Sequence, residues 1–433
     1  LMPEFPTWNV MGMMNNPWYR VKIHHEKDTN ELRFEHPTQA GNQKGGWMTK
    51  ERIMTNDNEE PTHSKKLQAE SVADANSSAI PKPGLTPDEL SELRLISADE
   101  VAKHNTKESC WFICRGLVYD ATPFLGEHPG GATSILLCGG TDCTDEFESI
   151  HSTKAWQMLK KYCIGRCPST GDDTGTSDTA SSSGDHEETD VALKGAIKVP
   201  IVLISREMVS HDSRIFKFAL PAKDLRLGLP VGNHVFLYAK INGKTVVRAY
   251  TPISSESDED RGFVSFLIKI YFAGDNPVHP EGGVFSQYLD GLHLGQQIQI
   301  KGPLGHFTYY GEGSFSLEST NFHAGKFGFI AGGTGITPVY QVMRAILENP
   351  KDQTKVALIY CVRLERDLLL RKELEALQKL RPGQCRIFYT LSDLEALDKN
   401  DLGWAYGKSR LNFAMVKNII ASDADHIGMC GPE

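Results

Sequence analysis

The chain has 433 residues, of which 40% are hydrophobic and 23% charged, as in soluble globular proteins of about three domains. Its net charge of −9 disfavours nucleic acid as a partner, and nine cysteines spread along the chain indicate reduced thiols rather than a disulfide framework. No apolar run reaches about 18 residues and no leader pattern occurs, so we expect a cytoplasmic protein with no membrane contact.

Two polar stretches, rich in Ser, Asp and Glu, interrupt the chain at residues 55–85 and 168–191. Such composition cannot bury a core, so both are predicted to be linkers. They separate an N-terminal region, 1–54, a small domain, 86–167, and a large region from 192 onward. Because the chain starts without Met and ends within a pattern, we expect a piece of a longer, multidomain protein.

In the small domain, the segment "HPGGATSILLCGGTDCTDEFESIH" begins at His128 and ends at His151. Neutral imidazole binds iron, and two imidazoles on opposite faces of a haem fill both axial positions. A haem so ligated has no open site for substrate and can only pass electrons. The Pro-Gly-Gly turn after the first histidine permits close backbone approach to a flat ligand. An arbitrary pair of histidines would instead lie on the surface.

Two CxxxC pairs in the same domain, Cys110 with Cys114 and Cys163 with Cys167, raise the alternative of zinc. Structural zinc sites usually use tighter spacing, so we interpret these as reduced thiols. The segment is also rich in acids, which could steer a basic partner surface or form a solvated face. These acids are Glu127, Asp142, Asp145, Glu146 and Glu148.

Short alternating runs with frequent turns fill residues 192–321 and predict an antiparallel β-barrel. In "RAYTPIS", Arg248, Tyr250 and Thr251 take alternating strand positions. In "EGGVFSQYL", Gly282 and Gly283 precede a predicted helix, whose free amides and positive dipole end suit a pyrophosphate.

Residues 322–433 alternate buried strands with amphipathic helices, which predicts an α/β domain with a doubly wound parallel sheet. "FGFIAGGTGITP" places Gly332, Gly333 and Gly335 between a strand and a helix, where dinucleotides meet such sheets. Pro338 stands where a third motif glycine would be. "MCGPE" places Cys430 at the carboxyl end of a strand, either facing the ligand crevice or as a buried thiol.

The loop after the second strand of this domain carries both acids and arginines. Glu365 and Asp367 are candidates to accept a hydrogen bond from a ribose 2′-hydroxyl, which favours NADH. Arg363 and Arg366 leave room for a 2′-phosphate, so NADPH stays open.

The small domain, with "WFICRGLVYDATPFLGEHPGG" and "DEFESIHS", resembles the cytochrome b5 domain. The resemblance implies an α+β fold and a b-type haem with His128 and His151 as axial ligands. The large region resembles the ferredoxin-NADP reductase superfamily, and most closely cytochrome b5 reductase. This second resemblance implies an FAD-binding barrel in 192–321 and an NAD(P)H-binding domain in 322–433.

The reductase resemblance also implies roles for particular residues. Arg248 contacts the FAD phosphates, and Tyr250 and Thr251 line the isoalloxazine and the ribityl chain. Thr337 touches the flavin, and Cys430 packs against the nicotinamide and orients hydride transfer. Other positions near the flavin or its pyrophosphate are Lys269, Tyr271, Phe272, Gly283, Val284, Phe285 and Ser286.

In the N-terminal region, "WNVMGMMNNPWYRVK" and "FEHPTQAGNQKGGWM" resemble the β-rich end of the dimerisation domain of eukaryotic assimilatory nitrate reductases. The resemblance implies electron flow from NADH or NADPH through FAD and haem to a molybdenum centre that reduces nitrate to nitrite. Molybdopterin would be bound by a preceding domain, and the whole enzyme would be a homodimer. The alternatives are a stand-alone fusion of cytochrome b5 with its reductase, serving another acceptor, and a non-catalytic haem carrier.

Overall fold

A computed structural model describes residues 92–128, 132–151, 153–168, 190–275, 277, 279–317, 320–393, 410–421 and 424–431, and three N-terminal strands. These strands are β1 (Asn9–Met13), β2 (Tyr19–Glu26) and β3 (Glu31–Glu35). β1 pairs in parallel with the last strand of the chain, and β2 and β3 continue antiparallel. The predictions for the 55–85 linker, for most of the second linker and for the Pro-Gly-Gly turn at 129–131 lie outside the described residues.

The small domain is α+β, as predicted. Its elements are α1 (Ala98–Ala102), β4 (Trp111–Cys114), β5 (Leu117–Asp120), α2 (Ala132–Leu136), α3 (Thr144–Ile150), α4 (Thr153–Leu159) and β6 (Cys163–Arg166). The strands form an antiparallel sheet in the order β4-β5-β6. Phe112, Tyr119, Phe147 and Trp156 form the core against which the helices pack.

The next region forms the predicted barrel-like antiparallel sheet, in the order β10-β9-β12-β7-β8-β11. Its elements are β7 (Gly195–Met208), β8 (Ser213–Ala219), β9 (His234–Ile241), β10 (Lys244–Tyr250), β11 (Phe263–Lys269), α5 (Val284–Gly291) and β12 (Gln297–Leu304). Asn242 and Gly243, both with positive φ, make the tight turn between β9 and β10. β10 ends at Tyr250, so the prediction of Thr251 as a strand residue was wrong. Pro252, which lacks an N–H, follows directly.

A small antiparallel sheet connects the barrel to the last domain. It consists of β13 (Phe307–Gly311), β14 (Ser314–Leu317) and β15 (Thr320–His323). β15 crosses the predicted domain boundary at 321/322.

The last domain has the predicted parallel sheet, in the order β18-β17-β16-β19. Its elements are β16 (Lys326–Gly332), α6 (Ile336–Glu348), β17 (Lys355–Val362), α7 (Arg371–Leu380), β18 (Cys385–Leu391), α8 (Phe413–Met415) with a π-helical turn (Val416–Ala421), and β19 (His426–Cys430). α7 begins at Arg371, directly after Leu370, which takes a left-handed conformation with φ of 55°. Within the described residues no helix is long and apolar enough to cross a membrane.

Candidate electron-transfer site

The two histidines of the small domain lie close together. The ring centroids of His128 and His151 are 6.0 Å apart, with the ring planes tilted by 40°. Two metal–imidazole bonds of about 2 Å each, with the two half-rings, fill this separation. The donor set therefore fits a haem iron between the rings.

His151 follows α3 directly, and its surroundings favour a neutral ligand. Its Nδ1 donates to the carbonyl of Phe147 at 3.2 Å, which leaves Nε2 for a metal. The Phe147 ring stacks on the imidazole at 4.1 Å. Burial, followed by the neighbouring His128, lowers the pKa of His151 to about 4, so the imidazole is neutral at physiological pH.

The acidic cluster divides into structural and docking residues. Asp142 lies two residues before α3, and its carboxylate accepts from the Thr144 amide at 2.9 Å. Glu148 pairs with Arg115 inside the small domain. Glu146 instead reaches the barrel, where it lies 3.4 Å from Lys198 and 3.6 Å from Lys301. Glu146 and Lys301 are only 5% and 4% exposed, so this contact is a buried ion cluster.

Further contacts seat α3 of the small domain on β10 of the barrel. The Ser149 hydroxyl donates to the Thr245 carbonyl at 3.3 Å, and Arg248 donates to the Ser149 carbonyl at 3.2 Å. Leu137 packs on an apolar cluster of the barrel. The helix that ends at one histidine thus rests on the strand that carries Arg248 and Tyr250.

Around β10 and β11, the predicted flavin residues lie in different surroundings. Arg248 is exposed, and its Nη1 also donates to the Val247 carbonyl at 2.7 Å. Thr251 is only 9% exposed. The Tyr250 ring lies 6.0 Å from that of Phe285, a buried residue of α5.

Lys269 is the last residue of β11, and Tyr271 and Phe272 follow it after Ile270. Lys269 forms an ion pair of 2.6 Å with Asp212, a buried carboxylate that the sequence reasoning did not consider. Tyr271 is 53% exposed, whereas Phe272 packs against the barrel core. Only the tyrosine ring is therefore largely available at the surface.

The start of α5 is tied to the strand before it. Gly283 donates to the Tyr271 carbonyl at 2.8 Å, the Tyr271 amide donates to Ser286 Oγ at 3.2 Å, and Ser286 Oγ donates to the Gly283 carbonyl at 3.1 Å. Gly283 is the N-cap and no side chain caps the helix, so its first amides suit an anion. Val284 is 51% exposed there. The arrangement fits the pyrophosphate of FAD.

The glycine turn before α6 packs tightly against the end of β19. Gly333 takes a positive φ of 51°, and the Tyr360 hydroxyl donates to its carbonyl at 3.0 Å. A Cβ on Gly335 would overlap the carbonyl of Cys430. Gly332 ends β16 beside these residues. The glycine turn thus lies at the carboxyl ends of the strands, where such sheets bind dinucleotides.

Thr337 and Cys430 both lie at this turn. Thr337 is 8% exposed and its Oγ1 donates to the Thr334 carbonyl at 3.2 Å. Burial raises the pKa of Cys430 to about 12, so its thiol stays protonated. A protonated thiol suits packing against a ring and not nucleophilic attack.

In the loop after β17, both candidate acids have partners. Asp367 accepts from the Leu364 amide at 3.0 Å, and Glu365 pairs with Arg371 at 2.9 Å. Arg363 pairs with Asp393 at 3.1 Å. Arg366 is exposed.

Several residues that bind the domains together escaped the sequence reasoning. Lys198 and Lys301 hold Glu146, and Gln341 and Arg344 on α6 bond to the barrel. For Gln341 and Arg344 the sequence offered one signal, because these polar residues lie three positions apart within the largely apolar "ITPVYQVMRAIL".

Four family models match the chain in order. They describe a Mo-co oxidoreductase dimerisation domain at residues 1–26, a cytochrome b5-like heme/steroid binding domain at 97–168, an oxidoreductase FAD-binding domain at 200–309 and an oxidoreductase NAD-binding domain at 329–433. The order agrees with the predicted order of domains.

Curated relatives match nearly the whole chain. The chain is 86% identical to a nitrate reductase [NADPH] of Phytophthora infestans, over 100% of this chain and 48% of the relative. It is 42% identical to nitrate reductase [NADH] 2 of Arabidopsis thaliana, over 99% of this chain and 47% of the relative. The chain thus spans about half the length of these curated relatives.

A solved structure matches the FAD and NAD region. It is the cytochrome b5 reductase domain of Ulva prolifera nitrate reductase, 38% identical, with a TM-score of 0.51. The match covers 56% of this chain and 90% of that structure.

Proposed function

The chain belongs to the nitrate reductase family, and we propose that it carries electrons from a reduced nicotinamide nucleotide through FAD to a b-type haem. From there they pass to a molybdenum centre that reduces nitrate to nitrite. The observation that carries this proposal is the seating of α3 on β10. It brings the helix that ends at His151 against the strand that bears Arg248 and Tyr250.

FAD, when bound, would supply the exchange between two-electron hydride chemistry and single-electron transfer, and a haem held by His128 and His151 would accept the electrons one at a time. The chain's residues supply binding and alignment. Arg248 and the first amides of α5 would hold the FAD phosphates. The turn from Gly332 to Gly335 would hold the nucleotide, and the neutral Cys430 thiol would fix the face of the nicotinamide.

NADPH is the nucleotide we propose. The relative at 86% identity is named for NADPH, and both acids of the β17 loop already accept hydrogen bonds inside the protein. The exposed Arg366 guanidinium in the same loop is suited to a 2′-phosphate. Asp367 would then stabilise the loop, and neighbouring residues would contact the ribose.

The final acceptor and the assembly are part of the same proposal. The dimerisation match at residues 1–26 supports a homodimer with a molybdopterin domain before this chain. The nine cysteines are free thiols, which suits a reducing cytoplasm.

The whole enzyme provides the test. Purified full-length protein should form nitrite from nitrate with NADPH, and His151→Ala should abolish that activity. Reduction of ferricyanide, which can take electrons directly from flavin, should continue in the same variant. Nitrite formation that survives His151→Ala would overturn the route through haem.

A further inference from the structure

A polar stripe on α6 joins the nucleotide domain to the flavin barrel. Thr337, Gln341 and Arg344 follow at spacings of four and three residues, so they lie on one face of the helix. Thr337 lies at the proposed nucleotide site. The other two residues lie one and two turns further along, and both bond to the barrel.

Gln341 pairs with two consecutive backbone groups of the barrel. Its Oε1 accepts from the Gly232 amide at 2.7 Å, and its Nε2 donates to the Asn233 carbonyl at 3.3 Å. The Asn233 side chain donates to the Phe307 carbonyl at 3.0 Å and to Thr308 Oγ1 at 2.9 Å. Gly232 has a φ of +92°, and a Cβ there would overlap the Phe307 ring. The segment that Gln341 holds is therefore itself anchored to β13.

Arg344 holds a second segment of the barrel. Its Nη1 donates to the Ile253 carbonyl at 3.2 Å and lies 3.4 Å from Asp260. Asp260 also accepts from the Ser255 amide at 2.7 Å. Ile253 comes two residues after Thr251, so this contact fixes the loop that leaves the predicted flavin strand.

These contacts place α6 on the two segments that precede and follow the β9–β10 hairpin, which carries Arg248 and Tyr250. We propose that Gln341 is a positioning residue for hydride transfer, which sets the nucleotide site at the start of α6 against the flavin site on the barrel. Arg344 supports the same alignment. The inference rests on the proposed function, because it requires hydride transfer between these two domains. A misplacement of about 1 Å at a reacting centre can cost on the order of 100-fold in rate.

The test is Gln341→Met in the protein loaded with FAD and haem, which removes both hydrogen bonds at similar volume. The limiting rate of flavin reduction by NADPH should fall about 10- to 100-fold. FAD content and the dissociation constant of NADP+ should change by less than about threefold, because positioning and binding are separable. Amide hydrogen exchange at Gly232, which needs no turnover, should accelerate. Gln378→Met on α7 is the matched control and should behave as the unsubstituted protein.

Each outcome decides the proposal. An unchanged limiting rate in Gln341→Met overturns it, and so does a loss of FAD or NADP+ binding with the limiting rate preserved. If Gln341→Met does not fold, Gln341→Asn keeps the amide but is too short for both bonds and should show the same rate loss. Absence of flavin reduction in the unsubstituted protein would instead refute the proposed function, while exchange at Gly232 would still report whether Gln341 holds the barrel.

Discussion

The imidazole rings of His128 and His151 face each other with centroids 6.0 Å apart. They come from different parts of the small domain, since the first precedes α2 and the second ends α3. Because the Nδ1 of His151 is held by the Phe147 carbonyl, the Nε2 is the nitrogen that would bind a metal. Under the proposed function, the pair would supply both protein ligands of the haem iron.

The ligand assignment predicts that His128→Ala or His151→Ala abolishes the low-spin b-type haem spectrum, because one axial ligand is lost. FAD content should be unaltered, since both residues lie outside the barrel. His104→Ala is the control, because His104 belongs to the same domain but stacks on Trp111 at 3.5 Å. Optical spectra of the three variants provide the measurement, and a low-spin spectrum in either ligand variant would contradict the assignment.

The buried ion cluster predicts a role for Glu146 in docking. Glu146→Gln leaves Lys301 without a full charge partner at a site that is 4% exposed. Loss of one member of a buried charge pair costs about 2 kcal/mol or more, so electron transfer from reduced flavin to haem should slow about tenfold or more. Glu148→Gln is the control, since Glu148 pairs with Arg115 within the haem domain. Equal flavin-to-haem rates in the two variants, by rapid-mixing spectroscopy, would refute the docking role.

Nucleotide preference can be tested at the exposed arginine of the β17 loop. Arg366→Ser should raise the KM for NADPH about tenfold or more, because a charge-assisted contact with the 2′-phosphate is lost. The KM for NADH, which has no such phosphate, should stay nearly constant. Lys351→Ser removes a positive charge from an exposed site elsewhere in the domain and controls for net charge. A parallel rise in both KM values would rule out phosphate recognition by Arg366.

Cys430 is expected to align the nicotinamide. Cys430→Ser should slow flavin reduction by NADPH, by up to about 100-fold, while FAD content and flavin-to-haem transfer stay as they are. The matched substitution Cys385→Ser changes a buried thiol on β18, away from the glycine turn, and should leave flavin reduction intact. If flavin reduction in the Cys430→Ser protein occurs at the normal rate, Cys430 has only a packing role.

Local patterns were sufficient to predict the domains and the type of most of their elements. The alternation of apolar and polar residues predicted the strands of the barrel. The glycine-rich motif predicted that Gly332 to Gly335 form the turn between a strand and a helix. The residue at which each helix begins was less predictable. Nothing in the local sequence "DLLLRKELEALQKL" indicates that Leu370 takes a left-handed conformation, so that α7 begins only at Arg371.

Pairings between distant segments could not be predicted from the sequence. Five neighbouring acids carry similar local signals, yet only Glu146 meets Lys198 and Lys301, because the docking of α3 on the barrel decides which acid is buried. Lys269 likewise meets Asp212 only through the pairing of β11 with β8. Such contacts follow from tertiary packing, which a single sequence does not display.

The central claim is electron flow from nucleotide through flavin to haem within one protein, and anaerobic stopped-flow spectroscopy tests it most directly. On mixing the FAD- and haem-loaded protein with NADPH, flavin absorbance should bleach first. Haem reduction should then follow at a rate independent of protein concentration, because the docked domains exchange electrons internally. An oxidised haem beside a fully bleached flavin, or a haem rate proportional to protein concentration, would contradict the account.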